Sequence, residues 1–172
     1  NINKMGTFRT YTVKVEGNSI TFKNLTIENN AARLGQAVAL HTEGDKLVFI
    51  NCRILGNQDT IYTGAAGTRL YFADCYIDGT TDFIFGPSTA LFENCEIRSK
   101  TNSYVTAAST PKDIAVGYVF KNCRLTADPG VDKVYMGRPW RPYAATVFIN
   151  CEMGKHIRPE GWHNWGNVEN EK

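Results

Sequence analysis

Long apolar runs are missing from this chain. No stretch of its 172 residues approaches the roughly 20 needed for a membrane-spanning helix. An excess of one charge is missing too. Nineteen Lys and Arg stand against 17 Asp and Glu, a formal +2, with no basic stripe to mark a nucleic-acid footprint. Histidine is scarce, at three residues (His41, His156, His163), and no HExxH occurs; the five cysteines contain no CxxC pair. Zinc-ribbon, zinc-protease and thioredoxin-type readings fall away, and no metal or cofactor motif remains. Nor is there a GxSxG; Ser88 in "GPSTA" lacks the surrounding glycines. No leader peptide is visible, but the chain opens mid-pattern at Asn1, so a leader cut away or left out stays open. What is present, 42% hydrophobic and 21% charged residues, suits one soluble domain with a real core.

A repeat organises the rest. "FKNLTI" (22–27), "FINCRI" (49–54), "FADCYI" (72–77), "FENCEI" (92–97), "FKNCRL" (120–125) and "FINCEM" (148–153) share one pattern. Its first column is Phe22, Phe49, Phe72, Phe92, Phe120 and Phe148. The next is Asn24, Asn51, Asp74, Asn94, Asn122 and Asn150. Leu25 and the five cysteines follow, then Ile27, Ile54, Ile77, Ile97, Leu125 and Met153. Aromatic stacks and Asn ladders are what parallel, in-register strands favour. Asn and Asp also accept the left-handed backbone that a sharp corner needs. Cys and Ile, two apart, point to one face, here inward. With no helical period between the repeats, the pattern predicts an all-β, right-handed parallel β-helix rather than a leucine-rich solenoid. The cysteines then read as a column of buried thiols, with Cys52 over Cys75 at a spacing a disulfide could bridge.

The repeat also serves as a ruler. Asp59 lies seven residues after Cys52 and Asp82 seven after Cys75, so the two fall at equivalent places on consecutive turns. Their Cα atoms are expected roughly 5 Å apart. "QAVAL" (36–40), "QDTIY" (58–62) and "TDFIF" (81–85) align, giving the columns Ala37, Asp59, Asp82 and Gln36, Gln58, Thr81. Two carboxylates so close cannot both ionise freely; one pKa is expected to rise while the other stays low, the arrangement of an acid beside an ionised partner. The plainer alternative is a pair of turn aspartates satisfied by backbone N–H groups. Strict alternation puts Gln58 and Asp59 on opposite faces, so a bend at "GNQD" is required if both serve one cleft. In "VYMGRPW" (134–140), Arg138 precedes Pro139 and could fork onto Asp82, with Trp140 offering a flat face to a sugar ring; a packed surface loop is the alternative.

"GQAVAL", "GNQDTIY", "GTTDFIFG" and "MGRPW" resemble the successive signatures of pectin methylesterases (pectinesterases), in that family's order and nearly its spacing. The likeness runs from "GTFRTYTV" (6–13) to "PEGWHNWG" (159–166), and "TTDFIFGPSTALFENC" and "TAAST" look more like bacterial members than plant ones. The resemblance implies a secreted or periplasmic, cofactor-free, metal-free carboxylic ester hydrolase that removes methyl groups from methyl-esterified pectin. A monomer is expected. Asp82 would be the nucleophile, and Asp59 the general acid and then the base. Gln36 would donate to the oxyanion, Gln58 would support the site, and Arg138 would bond Asp82. Trp140, Phe85 and Thr81 would line the sugar subsites. Asp59 to Asp82 spans 23 residues, about two more than the family pattern, the surplus falling in "TGAAGT"; Met136 stands where Leu is common. The chain looks short at both ends, so residues 1–172 read as one incomplete β-helix domain.

Rivals on the same scaffold fit less well. An inverting glycosidase needs carboxylates about 6.5–9.5 Å apart, and a retaining one leaves the glutamine column unexplained. A calcium-dependent lyase needs a larger acidic cluster. A related esterase or thioesterase on a non-pectin substrate, or a non-catalytic β-helical carbohydrate-binding module, stays open.

Overall fold

In a computed structural model the chain is described over residues 6–171. Each Phe-x-(Asn/Asp) run forms a short strand that ends at a corner, and the corner residue takes a left-handed backbone. The φ angle is 57° at Asn24, 50° at Asn51, 54° at Asp74, Asn94 and Asn122, and 51° at Asn150. Leaving the strand through that conformation turns the chain sharply without glycine, because a short polar side chain tolerates it. Asn51 Nδ2 donates to Asn24 Oδ1 at 2.9 Å, so the first two corners are tied to one another as well as to the strands.

Three strands and their corners make one turn, and six turns stack. The first sheet contains Val13–Val15, Leu40–Thr42, Ile61–Thr63, Ile84–Gly86, Tyr104–Ala108 and Tyr135–Gly137, in that spatial order. The second contains Thr21–Lys23, Leu47–Ile50, Arg69–Ala73, Thr89–Glu93, Tyr118–Lys121 and Thr146–Ile149. The third contains Thr26–Glu28, Arg53–Leu55, Tyr76–Gly79, Glu96–Ser99, Arg124–Ala127 and Glu152–Met153. All pairs are parallel and in the predicted register; Phe49 faces Phe72 and Ile54 faces Ile77. The chain is thus a right-handed parallel β-helix, the hand that parallel crossovers take.

The core is the inside of this coil. Phe22, Phe49, Phe72, Phe92, Phe120 and Phe148 stack ring on ring at 5.0, 4.7, 4.7, 4.5 and 4.6 Å, their planes nearly parallel throughout. One apolar cluster runs through all six turns. The cysteines are all free thiols, which decides between the two readings of that column. Each also has a bonding role: its Sγ reaches the carbonyl of the Phe one turn earlier, from Cys52 on Phe22 at 3.7 Å to Cys123 on Phe92 at 3.3 Å. Each thiol also lies 3.3–3.5 Å from the carbonyl two residues before it, so the buried S–H always has an acceptor beside it.

Candidate active site

The corner that enters the first sheet carries the two aspartates. Ala37 N bonds Gln58 O at 3.0 Å, and Asp59 N bonds Thr81 O at 3.1 Å, which places Ala37, Asp59 and Asp82 in one column as the ruler requires. Both aspartates take the left-handed conformation, φ 66° at Asp59 and 48° at Asp82. This breaks strand alternation at that one residue and is the bend that lets Gln58 and Asp59 face the same cleft. The apolar residues that follow, Phe83 and Ile84, are fully buried and hold Asp82 in place. Gly79 permits the approach: a Cβ there would lie 2.1 Å from Phe83 Cβ.

Arg138 comes from two turns further on, at the end of Tyr135–Gly137. It forks onto Asp82, Nε to Oδ1 at 2.9 Å and Nη2 to Oδ2 at 2.7 Å, the bidentate geometry expected of it. Gly137 makes this reach possible, since a Cβ there would meet Thr106 Oγ1 at 2.0 Å. The guanidinium also packs on two rings: its Cζ lies 4.0 Å from the Tyr104 ring centre and 3.8 Å from that of Trp165.

Burial treats the carboxyls alike, and their partners separate them. Asp59, 3% exposed, is pushed up to about 7, first by desolvation and then by the charge on Asp82, with Gln36 and Arg138 pulling the other way. Asp82 also moves upward through burial, although the Arg138 hydrogen bonds and charge oppose it. The expectation that one carboxyl stays low is therefore corrected, because desolvation at this depth outweighs even a forked guanidinium. Asp82 still has the partner that favours its charge.

Gln36, Gln58, Asp59, Asp82, Phe85, Arg138 and Trp140 line a single cleft of about 260 Å³. Thr7, Phe8 and Trp165 join them. The Thr7 hydroxyl donates to Gln36 Oε1 at 2.5 Å, which leaves the Gln36 NH₂ to face Asp59. Phe8 packs on Tyr62 at 4.7 Å, Tyr62 on Phe85 at 4.9 Å and Phe85 on Trp140 at 5.8 Å, an aromatic floor running along the outer face of the first sheet. Thr81 is not among the lining residues: its side chain is short, and its hydroxyl is engaged with Ser103 Oγ at 2.8 Å. A neutral amide, a proton-bearing carboxyl and a carboxylate held by arginine, gathered beside aromatic faces, suit acyl transfer to and from a carboxylate nucleophile.

A family model described as Pectinesterase matches residues 1–171. "Pectinesterase 31" of Arabidopsis thaliana is 45% identical over 169 residues, covering 97% of this chain and 53% of that protein. Among solved structures, a pectin methylesterase from carrot superposes with a TM-score of 0.90 at 30% identity, covering 97% of this chain and 56% of that one. One from Yersinia enterocolitica gives 0.84 at 35% identity, with 92% and 61% covered. A pectin methylesterase in complex with a hexasaccharide gives 0.80 at 30%, with 89% and 57% covered. Plant and bacterial proteins thus stand side by side, and neither is singled out. The chain spans about half the length of the curated relatives it matches, at 53%, 47% and 45% of the first three.

Proposed function

The chain belongs to the pectinesterase family, and from that premise we propose that it hydrolyses galacturonate methyl esters of pectin and releases methanol through an aspartyl nucleophile. The observation that carries this reading is the pairing of two unlike carboxyls: Asp82 forked by Arg138, beside Asp59 with its pKa pushed up to about 7.

The ionised Asp82 oxygen attacks the ester carbonyl carbon. Arg138 keeps that carboxylate charged and aimed. The amide of Gln36 donates to the oxyanion, with Gln58 supporting the site; being neutral, neither forms an ion pair with the dyad. Protonated Asp59 gives its proton to the departing methoxide, so methanol leaves and an acyl-Asp82 anhydride remains. Asp59, now a carboxylate, takes a proton from water, whose oxygen attacks the acyl carbon. Collapse returns Asp82 as a carboxylate and frees galacturonic acid, which loses its proton to solvent, while Asp59 keeps the proton it took from water. Splitting one hard step into two is what the covalent route gains. Phe85 and Trp140 offer faces to the sugar rings, and the hexasaccharide bound by a related structure supports a polymer lying over them.

On the same premise our reading is of a secreted or periplasmic protein that acts as a monomer on the cell-wall polymer. No helix among the described residues is long and apolar enough to cross a membrane. We take residues 1–172 as one domain, because one core cluster passes through every described turn.

The test is methanol release from highly methylated pectin by the full-length chain and its Asp82→Asn variant. Release by the parent and a loss of at least about a thousandfold in the variant are expected. A silent parent, or a variant as active as its parent, would refute the assignment. Acyl-CoA hydrolysis measured in parallel distinguishes a thioesterase.

A further inference from the structure

Trp165 stands in a backbone conformation that a bulky residue seldom adopts, φ 58°, followed by Gly166 at 74°. The turn around it is built to hold it there. Trp165 N donates to His163 Nδ1 at 3.0 Å and Gly166 N to Asn164 Oδ1 at 2.7 Å. Asn164 is fixed in turn, its Nδ2 on Glu171 Oε1 at 2.6 Å and its carbonyl taking Asn170 Nδ2 at 2.8 Å. The His163 ring sits 5.2 Å from Tyr104 and from Tyr135, which anchors the segment to the coil. Burial does not account for this arrangement, since Trp165 remains 39% exposed. What the turn achieves is an indole face 3.8 Å from the Arg138 guanidinium, with Tyr104 supplying another at 4.0 Å.

We propose that Trp165, together with Tyr104, is a positioning residue for the reaction: the two rings fix the Arg138 guanidinium in the orientation in which it forks onto Asp82. The proposal rests on the ester-hydrolase reading above. An arginine side chain has several rotatable bonds, and two hydrogen bonds to one carboxylate leave it free to swing with that carboxylate. Cation–π contact to ring faces removes this freedom. Among the described residues the charged and titratable groups around the fork are few. Asp59 faces Asp82 from the preceding turn, Arg138 faces it from the last one, and Tyr104 with His163 behind it lies against Arg138. With Trp165 removed, Arg138 loosens and the attraction opposing burial at Asp82 weakens. Asp82 then takes up its proton at higher pH.

The experiment uses the full-length protein as parent, Trp165→Leu, Trp165→Phe and Tyr104→Leu. For each, kcat and KM for methanol release are followed across pH, and the Asp82 carboxyl is titrated by carbon-detected NMR. Trp165→Leu is expected to lower kcat roughly three- to thirtyfold with a smaller change in KM. The acid limb of the profile and the Asp82 titration move together to higher pH. Trp165→Phe restores both, and Tyr104→Leu moves both in the same direction. A rise in KM alone, with the acid limb and the Asp82 titration unmoved, would overturn the proposal and leave Trp165 as a sugar contact. If Trp165→Leu fails to fold, Tyr104→Leu and Trp165→Phe decide by the same two readouts. A parent that releases no methanol refutes the esterase reading, while the Asp82 titration still decides the positioning role.

Discussion

Asp59 and Asp82 occupy adjacent turns in the same backbone conformation, yet only Asp82 is held by a cation. The proton on Asp59 is therefore useful to catalysis and costly to stability once it leaves. A carboxyl whose folded pKa lies above its unfolded value destabilises the fold as pH rises from the unfolded value through the folded one, because the native state then surrenders a proton it holds more tightly. For Asp59 that window runs from 3.8 to about 7. At about 1.4 kcal/mol per pH unit the full span is at most about 4 kcal/mol. Asp59→Asn is therefore expected to lose activity and gain stability at pH 8, with the gain vanishing toward pH 4. Urea unfolding at the two pH values checks this; an equal stability difference at both would refute it. Activity itself should fall above pH 7, as Asp59 loses the proton it must donate.

At the scale of the strand and its corner, the columns divide the work between packing and turning. Phe92 is fully buried between Phe72 and Phe120, so Phe92→Ala should cost about 3–5 kcal/mol. At the neighbouring corner, Asn94→Ala should cost about 1–2 kcal/mol through the left-handed penalty alone, and Asn94→Gly less. Urea midpoints of the three variants give the order, and Asn94→Gly falling below Asn94→Ala would contradict it. These columns are also why so much was legible from residues alone: stacked turns put like beside like, so a spacing of seven from Cys52 and from Cys75 located the dyad. Gln36 and Gln58 followed from the same ruler. Thr7, Phe8 and Trp165 were not legible, because they reach the cleft from the 3-10 turn Thr7–Arg9 and a loop outside the repeat, where no ruler applies. Thr81 misled for the opposite reason: it shares Gln58's column, but its shorter side chain binds Ser103 instead. The left-handed angles at Asp59 and Asp82, which resolve the face of Gln58, depend on the three-dimensional corner and leave no mark in spacing.

Across the whole molecule, the cleft draws on distant parts of the coil. Gln36 precedes the second strand of the first sheet, Asp59 the third and Asp82 the fourth, Tyr104 opens the fifth, and Arg138 follows the sixth. In a solenoid each turn contacts only its neighbours, so single turns can open without the rest. Activity is therefore expected to fail at lower urea than the far-UV circular dichroism of the sheets, since opening the sixth turn releases Arg138; coincident transitions would count against this. The cysteine column makes such opening measurable. One thiol marks every turn from the second to the sixth, and Cys151, in the sixth, is only half-buried while Cys95 is 1% exposed. An alkylating reagent applied under mild denaturation therefore leaves a time-stamped record: peptide masses report which turn let water in, and in what order.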